Sequence, residues 1–432
     1  MVQPGAHLNP SQRPSTVRRQ VLLLGFLATG ITYLDRVCIA AAAPRMMAEL
    51  GLSHIQMGYV FSIFAMAYGL FEVPAGWLSD RMGQRRMLTR IVACWSVFTA
   101  LTGLARALPS LLAIRFVFGA AEAGAFPTIA RAFARWFPVA RWGRVNGIMW
   151  MGARLGGAAA PPIAGLLIEW LGWRSAFLVF GVVGLVWCAA FWNWYRDDPA
   201  QHPSVNAAEL AYIRSGGPAA PPAGPVPPAP WKRIFLNGNL WALFWMYFAT
   251  SYGFWFFLTW LPTYLVDEHK LPVRTAGFYA AFPLATGALT CLVGGALSDW
   301  LVRRTGSLRW GRRIVGLGGF LLAAAGFAVA SRAHTPVAAV FWLSFASGSM
   351  DLAVPVAWAT CLNVGGRFGG TVSGFMNTAS SISAFLSPLA AAAFLNAFGS
   401  FGAMFASAAV VYFTAGLLWL KIDATRSIDQ RL

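Results

Sequence analysis

Apolar runs of about 20 residues, each long enough to cross roughly 30 Å of hydrocarbon, recur along this chain between short polar breaks. Twelve can be read, at approximately 20–43, 57–78, 87–106, 110–135, 145–170, 174–195, 239–266, 276–299, 312–331, 336–360, 369–395 and 400–421. A water-soluble domain cannot hide so much apolar surface, since 58% of the residues are hydrophobic and only 11% are charged. The pattern predicts an all-α membrane protein of twelve transmembrane helices.

The formal net charge of +18 could suggest a nucleic-acid partner. Its distribution argues otherwise. Arg13, Arg18 and Arg19 precede the first run, and Arg81, Arg85, Arg86, Arg141, Arg144, Arg303, Arg304, Arg309, Arg312 and Arg313 fill alternate loops. The intervening loops carry little beyond Arg45, Arg106, Arg174, Lys270, Arg274 and Arg332. Cytoplasmic loops hold such an excess of Lys and Arg, so membrane topology accounts for the charge and both termini are expected in the cytoplasm. No nucleic acid is expected as a partner. The first apolar run is too long for a cleaved signal peptide and leads straight into the multispan pattern. Cys38, Cys94, Cys188, Cys291 and Cys361 all fall within runs and show no CxxC pairing, so neither a disulfide framework nor a metal site is indicated.

Asp35, Glu72, Glu122 and Asp351 lie inside the apolar runs. An acid or an arginine at the centre of a spanning helix costs about 2.5–3.5 kcal/mol on insertion scales, so such residues face a cavity and mark an ion or substrate path. All five histidines (His7, His54, His202, His269, His334) fall in loops or tails, which leaves carboxylates as the titratable groups deep in the membrane. Arg36, Arg115 and Arg154 are embedded cations. At a rise of about 1.5 Å per residue, Arg36 sits roughly 24 Å along its helix. A guanidinium there can clamp a carboxylate through two parallel hydrogen bonds. Asp35 and Arg36 are adjacent and point about 100° apart, so Arg36 needs another partner. Glu122 is a candidate. Arg154 is open between a second anionic group of a substrate and a pairing with Glu122, and the roles of Glu72, Arg115 and Asp351 stay undecided.

A proline-rich run at 218–230 reads as an extended linker and divides the chain evenly. The expected units are a tail at 1–19, a six-helix bundle at 20–195, a linker at 196–238, a second six-helix bundle at 239–421 and a tail at 422–432. The halves also rhyme. After the second run stands Gly76-Trp-Leu-Ser-Asp80-Arg81-Met-Gly83-Gln-Arg85-Arg86, and after the eighth stands Gly295-Ala-Leu-Ser-Asp299, followed by Trp300 in place of the arginine. Such a repeat indicates a duplicated bundle whose halves can rock about a central site.

The first of these segments resembles the loop signature of the major facilitator superfamily, and the resemblance spans the chain. It implies the two-bundle major facilitator fold, with Asp80, Arg81 and Arg85 latching the cytoplasmic gate of the outward-facing state. Three further segments resemble the anion:cation symporter family: Tyr33-Leu-Asp35-Arg36, Glu122-Ala-Gly-Ala-Phe126-Pro127 with Trp136-Phe137-Pro138, and Gly374-Phe375-Met376-Asn377. They are most similar to hexonate, hexuronate and glucarate-type porters. The resemblance selects Asp35 and Glu122 for proton coupling, and implies substrate contacts from Arg36 and Asn377.

Tyr33 and Tyr68 could donate hydroxyls to a polyol acid, and Tyr252 is a neutral polar group of the second half. With Arg154 these complete the expected substrate-binding set. The reading is therefore a monomeric transporter, not an enzyme, that imports a small organic anion with protons across a bacterial inner membrane, with no cofactor. A multidrug exporter of the same fold is the rival, and it would not need Arg36 and Arg154. A membrane sensor or scaffold would need a signalling domain that the chain lacks. No GxxxxGK[ST] loop appears, so direct ATP drive is not expected.

Overall fold

The computed structural model describes residues 13–215, 228–398 and 401–428. Most of the proline run and the outer parts of both tails lie outside the described residues. Regular structure among the described residues is entirely helical. The helices are α1 (Val17–Leu50), α2 (His54–Met82), α3 (Gln84–Thr102), α4 (Leu108–Glu122), α5 (Ala125–Trp136), α6 (Trp142–Trp194), α7 (Ala207–Arg214), α8 (Trp231–Leu236), α9 (Gly238–Thr259), α10 (Leu261–Asp267), α11 (Val273–Thr305), α12 (Leu308–Ala330), α13 (Pro336–Gly365), α14 (Gly369–Phe398) and α15 (Phe401–Lys421). Among the described residues, eight helical segments are long and apolar enough to cross a membrane. Large apolar side chains such as Leu166, Val186, Leu289 and Phe413 stand exposed on the outside, as lipid-facing surface requires.

Local sequence sets the breaks. Gly51, at φ 65°, ends α1 with its N–H on the Met47 carbonyl, and Ser53 and Gln56 then form the reciprocal cap that opens α2. Gly124, at φ 82°, separates α4 from α5 just beyond Glu122. In α6, Gly172 takes φ 78° and ψ 159° in the middle of a continuous apolar run. The first leg of α6 runs alongside α1: Thr29 Oγ1 donates to the Met149 carbonyl at 3.0 Å, and farther along Arg45 reaches the Ile168 carbonyl. The second leg returns along α3. Arg174 meets the Gly103 carbonyl at 2.9 Å, Cys188 the Thr89 carbonyl at 3.4 Å, and Arg85 the Trp192 carbonyl at 2.9 Å. One apolar stretch is thus a helical hairpin bent at a glycine, at a φ that other residues rarely adopt.

The N-terminal helices α1–α6 meet the C-terminal helices α9–α15 mainly through two antiparallel pairs, α2 with α14 and the first leg of α6 with α11. Both contacts are glycine-lined. A Cβ on Gly76 would fall 2.3 Å from the Gly370 carbonyl oxygen, and one on Gly295 would fall 2.1 Å from that of Gly143. Backbones this close gain dispersion contacts in a setting where lipid supplies no hydrophobic drive. The two pairs close one end of the assembly, the end that carries Asp80 and Asp299.

Candidate functional site

Six helices, α1, α2, α4, α6, α13 and α14, aim polar groups at the middle of the assembly. Arg36 on α1 donates from Nε to Glu122 Oε1 on α4 at 2.8 Å; the side chains are 17% and 1% exposed. The guanidinium carbon lies 4.5 Å from the Tyr68 ring centre, 5.5 Å from Tyr33, 5.6 Å from Phe64 and 5.8 Å from Phe126. Aromatic faces attract a cation electrostatically and hold it where little water can. Arg36 Nη2 and Glu122 Oε2 are buried without hydrogen-bond partners. The pair therefore retains one donor and one acceptor, which is what exchange of Glu122 for another carboxylate requires.

Asp35 is 1% exposed and neither of its carboxylate oxygens has a hydrogen-bond partner. Glu122 and Arg115 both lie near enough to act on its charge. Arg115 stacks on Phe118 at 4.6 Å and Phe64 at 4.8 Å, beside the Arg36 site.

Asn377 on α14 joins the two sets of helices. Its Nδ2 donates to Glu72 Oε1 at 2.6 Å and to the Tyr68 hydroxyl at 3.2 Å. Glu72 also accepts the Gly124 N–H at 3.4 Å, a group released by the break between α4 and α5. Glu72 is thereby placed in a hydrogen-bonded frame around Tyr68.

Arg154 does not meet Glu122. It forms a side-on pair with Asp351 of α13, Nε to Oδ2 at 3.0 Å and Nη2 to Oδ1 at 2.6 Å. Glu122 is already taken by Arg36, and α13 brings a second buried acid within reach of the fork. The guanidinium carbon of Arg154 is 4.1 Å from the Phe254 ring centre and 5.6 Å from Trp150. Trp150 stacks on Phe126 at 4.8 Å, the ring that borders Arg36. Tyr252 stands apart: it lines a small cavity with Phe327, Ser387, Met404 and Phe405, and no hydrogen bond or ring contact among the described residues joins it to Arg36, Glu122 or Asn377. It points into the packing between α9, α14 and α15.

Asp80 sits at the N-terminus of α14. It accepts the Gly370 N–H at 2.9 Å, the Thr371 N–H at 2.7 Å and the Thr371 hydroxyl at 2.8 Å. Its cationic neighbour is Arg131 of α5, with Nε at 3.6 Å. Arg81 and Arg85, expected beside it, are elsewhere: Arg81 lies 4.4 Å over the Trp77 ring, and Arg85 lies 4.4 Å over Trp192. Arg81 follows Asp80 directly and so leaves the helix on another side, while Arg85 lies beyond the Gly83 turn. Asp299 repeats the arrangement despite lacking the following arginine. It accepts the Gly143 N–H at 3.0 Å and the Arg144 N–H at 2.7 Å at the start of α6, with Arg312 Nη1 at 2.8 Å. Sequence reasoning missed Arg131 and Arg312 as partners of the acids because neither lies within the loop motif; Trp150 carried only an apolar signal.

Comparison with known proteins agrees with this architecture. The family model described as Major Facilitator Superfamily matches residues 25–388. A Cupriavidus necator protein named "Probable sulfoacetate transporter SauU" is 35% identical over 422 residues, covering 95% of each chain. A Bacillus subtilis protein named "Probable galactarate/D-glucarate transporter GudP" is 30% identical, covering 92% of this chain and 90% of its own. One from Escherichia coli named "Probable L-galactonate transporter" is 31% identical, covering 90% and 85%. Among solved structures, the proton:xylose symporter XylE superposes with a TM-score of 0.74 at 13% identity, covering 95% of this chain and 97% of that one. The fold and the relatives together place the chain in the Major Facilitator Superfamily, as a multi-pass membrane transporter and not an enzyme, akin to the hexonate and glucarate-type acid transporters.

Proposed function

We propose that this protein imports a small organic anion, a sugar acid or related carboxylate, by proton symport and alternating access across a bacterial inner membrane. The observation that carries the reading is the buried Arg36–Glu122 pair at 2.8 Å, with a spare donor on one member and a spare acceptor on the other. Protonation of Glu122 and Asp35 from outside frees Arg36 to hold the substrate carboxylate. Tyr33, Tyr68 and Asn377 surround that position. The halves then rock, the contacts of Asp80 part, and substrate and protons leave toward the cytoplasm. The relatives named for sulfoacetate, galactonate and galactarate or glucarate support the anionic substrate.

The same proposal includes twelve crossings, with both termini cytoplasmic. Two of the candidate segments, Val139–Trp194 and Pro336–Ser387, are 56 and 52 residues long. At about 1.5 Å per residue each is more than twice the thickness of roughly 30 Å that one crossing needs. The bend at Gly172 supports reading the first as two. The bundles are then 20–195 and 239–421, with the end carrying Asp80 and Asp299 facing the cytoplasm, and one copy of the chain is the working unit.

Glu122→Gln in proteoliposomes tests the coupling. Expected is loss of uphill uptake driven by a proton gradient, with substrate exchange retained. Accumulation against a gradient by this variant would remove Glu122 from proton coupling.

A further inference from the structure

Two of the central arginines, Arg36 and Arg154, are each held by their own carboxylate in a way that leaves part of the guanidinium unused. In Arg154, Asp351 takes Nε and Nη2, while Nη1 makes no hydrogen bond among the described residues. Phe254 lies against its face at 4.1 Å, so the fork is fixed in orientation. In Arg36, Glu122 takes Nε and leaves Nη2 without a partner. A guanidinium carries five N–H donors on three edges, so each has an edge for a further anion.

The two cations border one aromatic surface. Phe126 is 5.8 Å from the Arg36 guanidinium carbon and stacks at 4.8 Å on Trp150, which is 5.6 Å from that of Arg154. Tyr33 bridges the same two sites from the other side. Its ring is 5.5 Å from Arg36, and it packs where a Cβ on Gly157, three residues beyond Arg154, would lie 3.2 Å from its Cδ1. A carboxylate clamp for a monoanion needs only one of these arginines. Burying a second ion pair, with Arg154 and Asp351 at 4% and 1% exposure, confers no stability that a packed apolar pair would not also give. Recognition of charge is what the pair offers in return.

We infer that the substrate is a dianion with its charged groups at opposite ends, one bound by Arg36 and the other by the free edge of Arg154, which Asp351 orients. This rests on the anion-transport reading above and adds the charge number. It also assigns Asp351 a positioning role: it fixes the fork and links α6 to α13, so the second anionic group of the substrate sits at a contact between the two sets of helices.

The test is a binding titration of the purified full-length protein with galactarate and galactonate, which differ only in carrying a carboxylate or a hydroxymethyl group at one end, repeated with sulfoacetate and acetate. Wild type should bind each dianion at least about tenfold more tightly than its monoanion, the scale of a charge-assisted hydrogen bond. In Arg154→Gln/Asp351→Asn, which removes both charges and keeps a hydrogen-bonded pair, dianion affinity should fall to the level of the monoanion. Arg154→Lys, which keeps the charge opposite Asp351, should lose most of the preference through loss of the planar edge. Equal affinity for both members of each pair in wild type, or a preference that survives in the double variant, overturns the inference. Arg36→Ala separates the two readings: if it abolishes binding while wild type shows no dianion preference, anion transport stands and the dianion does not. Absence of binding to all four compounds removes the dianion as well.

Discussion

Asn377 on α14 donates to Glu72 on α2 at 2.6 Å, a hydrogen bond between residues more than three hundred positions apart in the chain that ties the two sets of helices beside Arg36. Asn377→Ala removes the shortest hydrogen bond to this buried carboxylate, at 2.6 Å, and leaves its weaker contact to the Gly124 N–H at 3.4 Å. A buried group stripped of its partner loses about 1–3 kcal/mol. The expected results are a lower melting temperature and weaker substrate binding, both measurable on purified protein. Asn377→Asp should be worse, because it sets two acids against each other. An unchanged melting temperature in both variants would show that the frame around Tyr68 is not held by this bond.

Asp80 and Asp299 should act independently. They serve different helix pairs and share no partner, so the energies of Asp80→Asn and Asp299→Asn should add within about 0.5 kcal/mol. Each loses the interaction of a full charge with a helix N-terminus, worth up to about 2 kcal/mol in partly buried geometry. Faster thiol labelling of a cysteine placed at Ser79, which is fully buried now, would report opening of this end. No change in labelling after either substitution would exclude Asp80 and Asp299 as locks.

Arg36→Lys preserves the charge but not the fork. A lysine cannot present Nε to Glu122 and a parallel donor to a carboxylate. Uptake should fall by about tenfold or more at subsaturating substrate, the cost of one charge-assisted hydrogen bond. Wild-type uptake by this variant would show that Arg36 acts as a point charge only.

His202 gives a pH dependence outside the membrane-spanning helices. It packs edge-on against Trp194 at 4.7 Å and Trp136 at 5.8 Å, and its Nδ1 accepts the Ser204 N–H at 3.3 Å. Burial, then the nearby Arg196, holds its imidazole below the ordinary histidine value. The folded state prefers the neutral ring, so its contribution to stability is complete above the unfolded value near pH 6.5 and is lost as pH falls from there toward the folded pKa. Melting temperature should therefore drop between roughly pH 7 and pH 5 more steeply in wild type than in His202→Gln. Parallel profiles would show that His202 does not contribute.

What could be read from the sequence follows the distance over which each interaction is decided. Apolar runs ending at 170 and resuming at 174 flank Gly172, because a helix break inside hydrocarbon is a local matter of one residue's φ. Arg36 and Glu122 were legible as a pair because a buried arginine needs an acid and Asp35, its neighbour, points the wrong way. Arg154 with Asp351 was not: the partners are 197 positions apart, and nothing local ranks Asp351 above Glu122 until α13 is docked. Asp80 was visible from its motif, but the motif offered Arg81 and Arg85 as partners, whereas the cation is Arg131, delivered by α5 after the turn at Gly124. The Tyr252 hydroxyl marks a polar group of the second half, but a tyrosine hydroxyl says nothing about which face of its helix is inside.

The contacts of Asp80 and Asp299 also bear on how freely the loops around them can vary. In each, most of the acceptor capacity of the carboxylate is met by peptide N–H groups at a helix start, Gly370 and Thr371 in one and Gly143 and Arg144 in the other. Every non-proline residue supplies such a group. A fastening made this way needs one acidic side chain and a tight approach of backbone, which Gly76, Gly143, Gly295 and Gly370 permit. Trp300 can replace the arginine of the first repeat without loosening the second, and the arginines of the first loop are released to stack on Trp77 and Trp192. The contacts rest on chain geometry: they do not call on the loop arginines, but they do call on the glycines that let the helix backbones meet.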